Sequence, residues 1–198
     1  MHARHATTDD LHLLEQLVSE IPPEEELLSF NRQNYRELVD HQNVWVFLYL
    51  DGNDVFGMGL LKRDVPVSFV HNKHIYTKGE NGVRVVNNPN YGKEECIDRN
   101  MYIGGAWIRP AYRGNGHYTY MFRHRFEYAR MQTTESHDGM QRAIITEPFG
   151  SCSRTGQGER DVPRKSSQAV YTVALNHGFA HVGYSKEWDQ GPTLLLPQ

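Results

Sequence analysis

The most constraining feature of this sequence is a strand, a glycine-rich loop and a helix that follow one another directly. Asn100 to Ile108 is a largely apolar run that predicts a buried strand, and Pro110 stops it. Glycines follow at Gly114 and Gly116, and from His117 to Met131 apolar side chains recur on one side of a predicted helix. Together with the helices and strands predicted on either side of it, this segment predicts a mixed α/β domain.

The sequence before this segment predicts two helices followed by a hairpin. Aliphatic residues recur at helical spacing from Leu11 to Ile21, and again from Glu24 to Asp40. We therefore expect helices before any strand. Two β-branched and aromatic runs, Val44 to Leu50 and Val55 to Leu61, flank a polar turn at 51–54, which predicts a pair of strands.

The other segments carry weaker signals. Residues 62–99 are polar and predict at most a short pair of strands, around His74 to Tyr76 and Val83 to Val86, so we interpret them as an insertion. The elements predicted after the central helix are a strand at Ala143 to Thr146, a helix at Ser167 to His177 ending at Gly178, a strand at Phe179 to Tyr184 and an edge strand at Thr193 to Leu196.

Length and composition favour one folded domain. A chain of 198 residues with 38% hydrophobic and 23% charged residues is long enough to bury a core. The net charge of -3 gives no basic field, so we expect no nucleic-acid or anionic-membrane partner. The longest apolar run is too short to cross a bilayer and no signal-peptide core is present, which predicts a cytoplasmic protein. The sequence predicts no metal site, because metal-ligand spacing is absent from both the cysteine pair, Cys96 and Cys152, and the histidine pair, His71 and His74.

The loop from Arg113 to Tyr118 has the properties of an anion site. The first backbone N–H groups of a helix lack internal partners, and the helix dipole adds about half a positive charge there. Glycines allow the main chain to approach a bulky phosphate, and a pyrophosphate is a natural occupant. Two glycines before a helix also fit an ordinary tight connection, so the loop alone does not decide the function.

The wider segment from Ile108 to Tyr118, IRPAYRGNGHY, resembles a known motif. It is similar to Arg/Gln-x-x-Gly-x-Gly/Ala, matching at Arg113 and Gly116, with the lead-in found in many acetyltransferases of the GNAT superfamily. The order of the predicted elements also resembles that family over most of residues 5–196, apart from 62–99. Two positions depart from the pattern: the last small position is Tyr118, and Ala174 occupies the place of a tyrosine that protonates the leaving thiolate in many relatives.

The resemblance implies a fold, a cofactor and a reaction. The fold would be a central, mostly antiparallel sheet with a splayed motif strand, flanked by helices. The reaction would be direct transfer of an acetyl group from acetyl-CoA to a primary amine in a ternary complex. The cofactor would be bound by main-chain groups of the motif strand and of the loop, at Ala106, Ile108, Arg113, Gly114, Asn115, Gly116, His117 and Tyr118.

Two catalytic roles need side chains. An amine attacks only when it is neutral, and Glu147, at the end of the strand after the central helix, is the candidate base; Asp98 and Glu95 are alternatives. Tyr171, one turn before Ala174, is the candidate acid, with Tyr184 as its alternative. Each of these residues also fits a plain structural role, as a surface carboxylate or a packed aromatic ring.

Several alternatives stay open at this point. The acceptor could be an amine of a small molecule, a peptide or a protein, and a homodimer is compatible with the sequence. A non-catalytic acyl-CoA-binding module would keep the loop without the acid, as Ala174 permits. A plain interaction domain would bind no cofactor. The Ser- and Arg-rich stretch 151–164 lacks the Gly-Lys-Ser/Thr ending of a phosphate loop, and it fits a surface loop better.

Overall fold

The structure is a computed structural model that describes residues 1–22, 35–134, 142–146, 152–153, 162–163, 168–185 and 192–196. The chain divides into two compact units. The first comprises Met1–Arg63 and Ile103–Gln132, and the second comprises Asp64–Tyr102 and Thr133–Gln198. Within the described ranges, no helix has both the length and the apolar character that crossing a membrane requires.

The fold is mixed α/β with mostly antiparallel strands, as predicted. The helices are α1 Leu11–Ser19, α2 Tyr35–Asp40, α3 His117–Thr134 and α4 Gln168–Asn176. The strands are β1 His2–His5, β2 Val44–Asp51, β3 Asp54–Arg63, β4 Val67–Gly79, β5 Gly82–Asn87, β6 Glu94–Ile97, β7 Asn100–Ile108, β8 Ala143–Thr146, β9 Cys152–Ser153, β10 Val162–Pro163, β11 Ala180–Ser185 and β12 Pro192–Leu195. Short 3-10 turns lie at Thr8–Asp10 and Pro110–Tyr112.

The sheet of the first unit has the strand order β1-β2-β3-β7. The hairpin prediction is confirmed, with Val44 opposite Lys62 and Asp51 opposite Asp54. The expectation that helices precede every strand is wrong, because β1 pairs with β2 from His2 opposite Leu50 onwards. Four residues at the start of a chain carry too little pattern to reveal a strand whose partner lies more than forty residues away.

Strand β2 is buried on both faces, which explains why it is apolar throughout rather than alternating. Successive side chains of a strand point to opposite faces. Val46 and Leu48 lie in the core cluster that α1 builds with Leu14, Leu17 and Val18. On the opposite face, the hydroxyl of Tyr49 donates to the backbone carbonyl of Met121 in α3, at 3.2 Å. The unit therefore has helices on both sides of its sheet.

The strands of the second unit follow the order β8-β12-β11-β4-β5, and β6 pairs with β4. The prediction for residues 62–99 is wrong in extent, because they form three strands and β4 is a central one. Strand β12 lies between β8 and β11, so the prediction of an edge strand is also wrong. The β11–β4 pairing depends on Gly183, where an added Cβ would lie 2.3 Å from the Val70 carbonyl oxygen.

The remaining predictions of individual helices and strands agree with the structure where it describes the chain. Strand β7 has the predicted bounds, and α3 extends the predicted helix to Thr134. Helix α4 ends before Gly178, whose φ of +89° favours glycine and whose N–H donates to the Leu175 carbonyl at 3.0 Å. Of the helix predicted at 24–40, the structure describes α2, and residues 24–34 lie outside the described ranges.

Candidate functional site

The candidate site is the connection between β7 and α3 in the first unit. After β7 ends at Ile108, a 3-10 turn follows at Pro110–Tyr112, in which the Tyr112 N–H donates to the Arg109 carbonyl at 2.9 Å. Gly114 and Gly116 then adopt φ values of +86° and +78°, and α3 begins at His117. Positive φ at both positions is the conformational reason for glycine there.

The two arginines of this connection hold the loop in place. The Arg109 guanidinium donates to both carboxylate oxygens of Glu20, at 2.6 and 2.7 Å, and to the Val55 carbonyl at 2.5 Å. This pairing lowers the pKa of Glu20 and raises that of Arg109, in each case mainly through the hydrogen bond between them. Arg113 donates from Nε to the Ile108 carbonyl at 3.0 Å, which ties the loop back to the end of β7.

The backbone amides of the loop are available to a ligand. Among the described residues, none accepts a hydrogen bond from the N–H groups of Gly114 to Tyr118, and the first helical bond runs from the Tyr120 N–H to the Gly116 carbonyl at 3.0 Å. A Cβ added at Gly114 or Gly116 would meet no atom within 4 Å. The space beside these two glycines is therefore open in the described part of the chain, and N–H groups without internal partners at the start of an 18-residue helix make the loop a candidate site for an anion.

The bulky side chains at the start of α3 point away from this open space. The His117 ring is buried, with its centroid 4.7 Å from that of Phe56 and 5.4 Å from that of Tyr112. The Tyr118 ring packs against Phe122, with centroids 6.4 Å apart, and burial raises its pKa. Tyr118, one of the two departures from the motif, thus packs against a ring of its own helix.

The end of β7 presents a second row of main-chain groups. The Arg109 N–H donates to the Phe56 carbonyl of β3 at 2.9 Å. Backbone groups of successive residues in a strand point to alternate edges, so those of Ile108 and Ala106 face the edge of β7 away from β3. The Ile108 carbonyl accepts its bond from Arg113 on that side.

A residue that the sequence reasoning missed lies beneath β7. Arg125, on α3, is fully buried and donates from Nη1 to the Gly104 carbonyl at 2.8 Å. The signal was present in the sequence, because Arg125 lies four residues after Met121 and four before Ala129, on the apolar side of the helix. An arginine among apolar neighbours at helical spacing is a candidate for burial.

The predicted catalytic residues lie elsewhere in the chain. Glu147 falls outside the described residues. Tyr171 belongs to the second unit, is 6% exposed, and its hydroxyl lies 3.0 Å from Nδ1 of the buried His181. The Tyr184 ring contacts the same histidine edge-on, with centroids 5.1 Å apart.

The alternative bases are both exposed carboxylates. A carboxylate oxygen of Glu95 lies 2.6 Å from Nε2 of His71, and Asp98 accepts a hydrogen bond from the Cys96 thiol at 3.3 Å. Each thus has a local partner in the second unit.

Comparison with known proteins identifies the fold. No protein-family model and no curated protein matches this sequence. Among solved structures, the GNAT domain of S. lividans PAT matches over 98% of this chain and 88% of its own, with 12% identity and a TM-score of 0.56. An acetyltransferase of the GNAT family from Streptococcus pneumoniae matches over 98% of this chain and 96% of its own, with 12% identity and a TM-score of 0.52. This chain therefore has the GNAT fold.

Proposed function

We propose that this protein is an N-acetyltransferase that transfers the acetyl group of acetyl-CoA to a primary amine. The observation that carries the proposal is that the amides from Gly114 to Tyr118, at the start of α3, donate no hydrogen bond to any described residue, in a chain with the GNAT fold. The solved structures with this fold that match the chain include an acetyltransferase, which supports acetyl transfer as the reaction.

The residues of the loop fit the diphosphate of acetyl-CoA. The segment Arg113 to Tyr118 carries no acidic side chain, its N–H groups are donors, and the dipole of α3 adds positive potential. The absence of a Cβ at Gly114 and Gly116 leaves room for phosphate oxygens. Along β7, the N–H groups of Ala106 and Ile108 face the edge away from β3, where they would bind the pantetheine and the thioester oxygen.

Bound acetyl-CoA supplies an acyl group activated as a thioester, so the protein needs only to orient the two substrates and to move protons. Glu147 is our candidate to remove a proton from the attacking amine, and Asp98 and Glu95 are the alternatives. Tyr171 is our candidate to protonate the thiolate, with Tyr184 as its alternative. The bond between the Tyr171 hydroxyl and His181 would fix the orientation of that hydroxyl.

A non-catalytic acyl-CoA-binding module is the second candidate. It is favoured by one observation: the place of the usual acid is held by Ala174, which is fully buried and has no acidic group.

The acceptor of the proposed enzyme would be an amine of a small molecule, a peptide or a protein. We expect no nucleic acid or membrane among the partners and a cytoplasmic location, and a homodimer stays open.

Two measurements test the proposal. Thermal unfolding with CoA should show a melting temperature that rises with the logarithm of ligand concentration, since a ligand that binds only the folded state stabilises it. Thiol release from acetyl-CoA in the presence of an amine panel should then identify acceptors. Stabilisation without thiol release would favour the binding module, and no stabilisation by CoA would reject both candidates.

A further inference from the structure

Arg125 is a buried charge without a carboxylate partner. Its side chain is fully buried in the first unit, and none of the acidic groups in the described part of the chain forms an ion pair with it. Burying an unpaired guanidinium is costly, and an apolar side chain of similar volume would fill the same space without that cost. A position that keeps such a residue needs a reason beyond packing.

Among the described residues, the hydrogen bonds of Arg125 with normal geometry go to backbone carbonyls, and its charge also counteracts the rise in pKa that burial causes at Tyr49 and Tyr118. Nη1 donates to Gly104 at 2.8 Å, to Leu60 at 3.3 Å and to Gly105 at 3.4 Å. Nε donates to Met121 at 3.2 Å, within its own helix. The positive charge is thus held against the peptide groups of β7 at Gly104 and Gly105.

The sheet leaves space for this guanidinium. A Cβ added at Gly59 of β3 would lie 3.1 Å from Cζ and from Nε of Arg125. Such a contact is tighter than side chains normally make, so an alanine at position 59 would require the guanidinium to shift by a few tenths of an ångström. The position of Arg125 therefore depends on glycine in a neighbouring strand as well as on its own helix.

A cation on one side of a peptide group strengthens the donor on the other side. None of the described peptide bonds is cis, so the C=O and N–H of each peptide group point in opposite directions. The N–H of Ala106, which faces away from β3, shares its peptide group with the Gly105 carbonyl that Arg125 binds, whereas the N–H of Gly105 faces β3. Hydrogen bonds in such a chain polarise one another, and a charged donor does so most strongly.

We propose that Arg125 is a positioning residue that polarises the Gly105–Ala106 peptide group, so that the Ala106 N–H, on the edge of β7 away from β3, binds and polarises the thioester oxygen of acetyl-CoA. This rests on the proposed function. It adds a specific role for a side chain that does not itself contact the cofactor. The effect is electrostatic, and it acts on the carbonyl of the thioester rather than on the diphosphate.

Infrared difference spectroscopy of bound acetyl-CoA labelled with carbon-13 at the thioester carbonyl tests this role. The carbonyl band of the bound cofactor should lie at lower frequency than that of free acetyl-CoA in the unchanged protein. Arg125→Met should lose at least half of this lowering, and Arg125→Lys, which keeps the charge without the planar fork, should lose part of it. Arg123→Met is the matched control, because Arg123 is on the same helix with its side chain 59% exposed.

A binding measurement provides a second readout. S-ethyl-CoA has no thioester carbonyl. The ratio of the Kd for S-ethyl-CoA to the Kd for acetyl-CoA therefore measures how much the carbonyl contact contributes to affinity. We expect Arg125→Met to reduce this ratio about threefold, the size of part of one hydrogen bond, with little change in affinity for CoA itself. A merely structural role would weaken both ligands together.

The outcomes separate this inference from the proposed function. An unchanged carbonyl band and an unchanged ratio in a variant that still binds acetyl-CoA would reject the role of Arg125 and leave the proposed function standing. If the unchanged protein does not bind acetyl-CoA, both fail. If Arg125→Met does not fold, Arg125→Lys decides: a partial loss of the band lowering supports the inference, and a band identical to that of the unchanged protein rejects it.

Discussion

Placing a negative charge at Asn115 tests the anion site directly. Asn115 lies between the two glycines with positive φ, is exposed, and makes no hydrogen bond to the other described residues. Asn115→Glu should therefore leave the fold intact and change only the charge beside the loop amides. Asn115→Gln is the matched control, since it has the same size and no charge.

The expected magnitude follows from Coulomb's law. A carboxylate about 6 Å from a diphosphate with about two negative charges, at an effective dielectric constant of about 60, gives a repulsion of about 1.8 kcal/mol. Because each 1.4 kcal/mol corresponds to a factor of ten, the Kd for CoA should rise about twentyfold. In 1 M salt the Debye length falls to about 3 Å, so most of this difference should disappear.

Isothermal titration calorimetry with CoA at low and high salt measures the effect. Unchanged melting temperatures of the ligand-free variants would confirm that folding is unaffected. The reasoning is refuted if Asn115→Glu binds CoA within twofold of Asn115→Gln at low salt, because an anion held by these amides cannot be insensitive to a neighbouring carboxylate.

Three further predictions concern stability and catalysis. The ion pair with Arg4 lowers the pKa of Asp10 from 3.8 to about 2, so the contribution of this pair to stability is present above about pH 4 and is lost as pH falls towards 2. Between pH 5 and pH 2, the free energy of unfolding measured in urea should therefore fall by about 1–2 kcal/mol more in the unchanged protein than in Asp10→Asn. An equal fall in the two proteins would contradict the assignment. Gly183→Ala should lower the free energy of unfolding by about 2–3 kcal/mol, because the added Cβ would meet the Val70 carbonyl oxygen. A decrease below about 0.5 kcal/mol in urea unfolding would be inconsistent with that contact. Tyr171→Phe should lower kcat in the thiol-release assay with little change in the Kd for CoA, and an unchanged kcat would remove Tyr171 from the mechanism.

The sequence predicted the parts of the fold whose cause is local. The hairpin from Val44 to Leu61 follows from two apolar runs around a polar turn, and both strands are present. The strand from Asn100 to Ile108 and the helix that starts at His117 also match, because an apolar run, a proline and two glycines define their boundaries. The availability of the amides at Gly114 to Tyr118 agrees with the same local reasoning about the first turn of a helix.

Strand neighbours were decided only by the tertiary structure. The four residues of β1 form a strand because β2 offers them a partner, and the short β12 is interior because β8 and β11 lie on either side of it. A short strand has the same local pattern at an edge and in the interior, since its hydrogen bonds go to residues far away in sequence. The polar stretch at 62–99 was misjudged for this reason, because β4 is fixed by pairing with β5, β6 and β11.

The buried arginine shows the same division within the candidate site. The sequence alone determined that Arg125 lies on the apolar side of its helix, through its spacing from Met121 and Ala129. The tertiary structure supplies the acceptors that allow the guanidinium to be buried there, because the carbonyls that accept its hydrogen bonds belong to Leu60 in β3 and Gly104 in β7. A charge can stay buried when distant segments supply its acceptors, and no pattern within one helix specifies those acceptors.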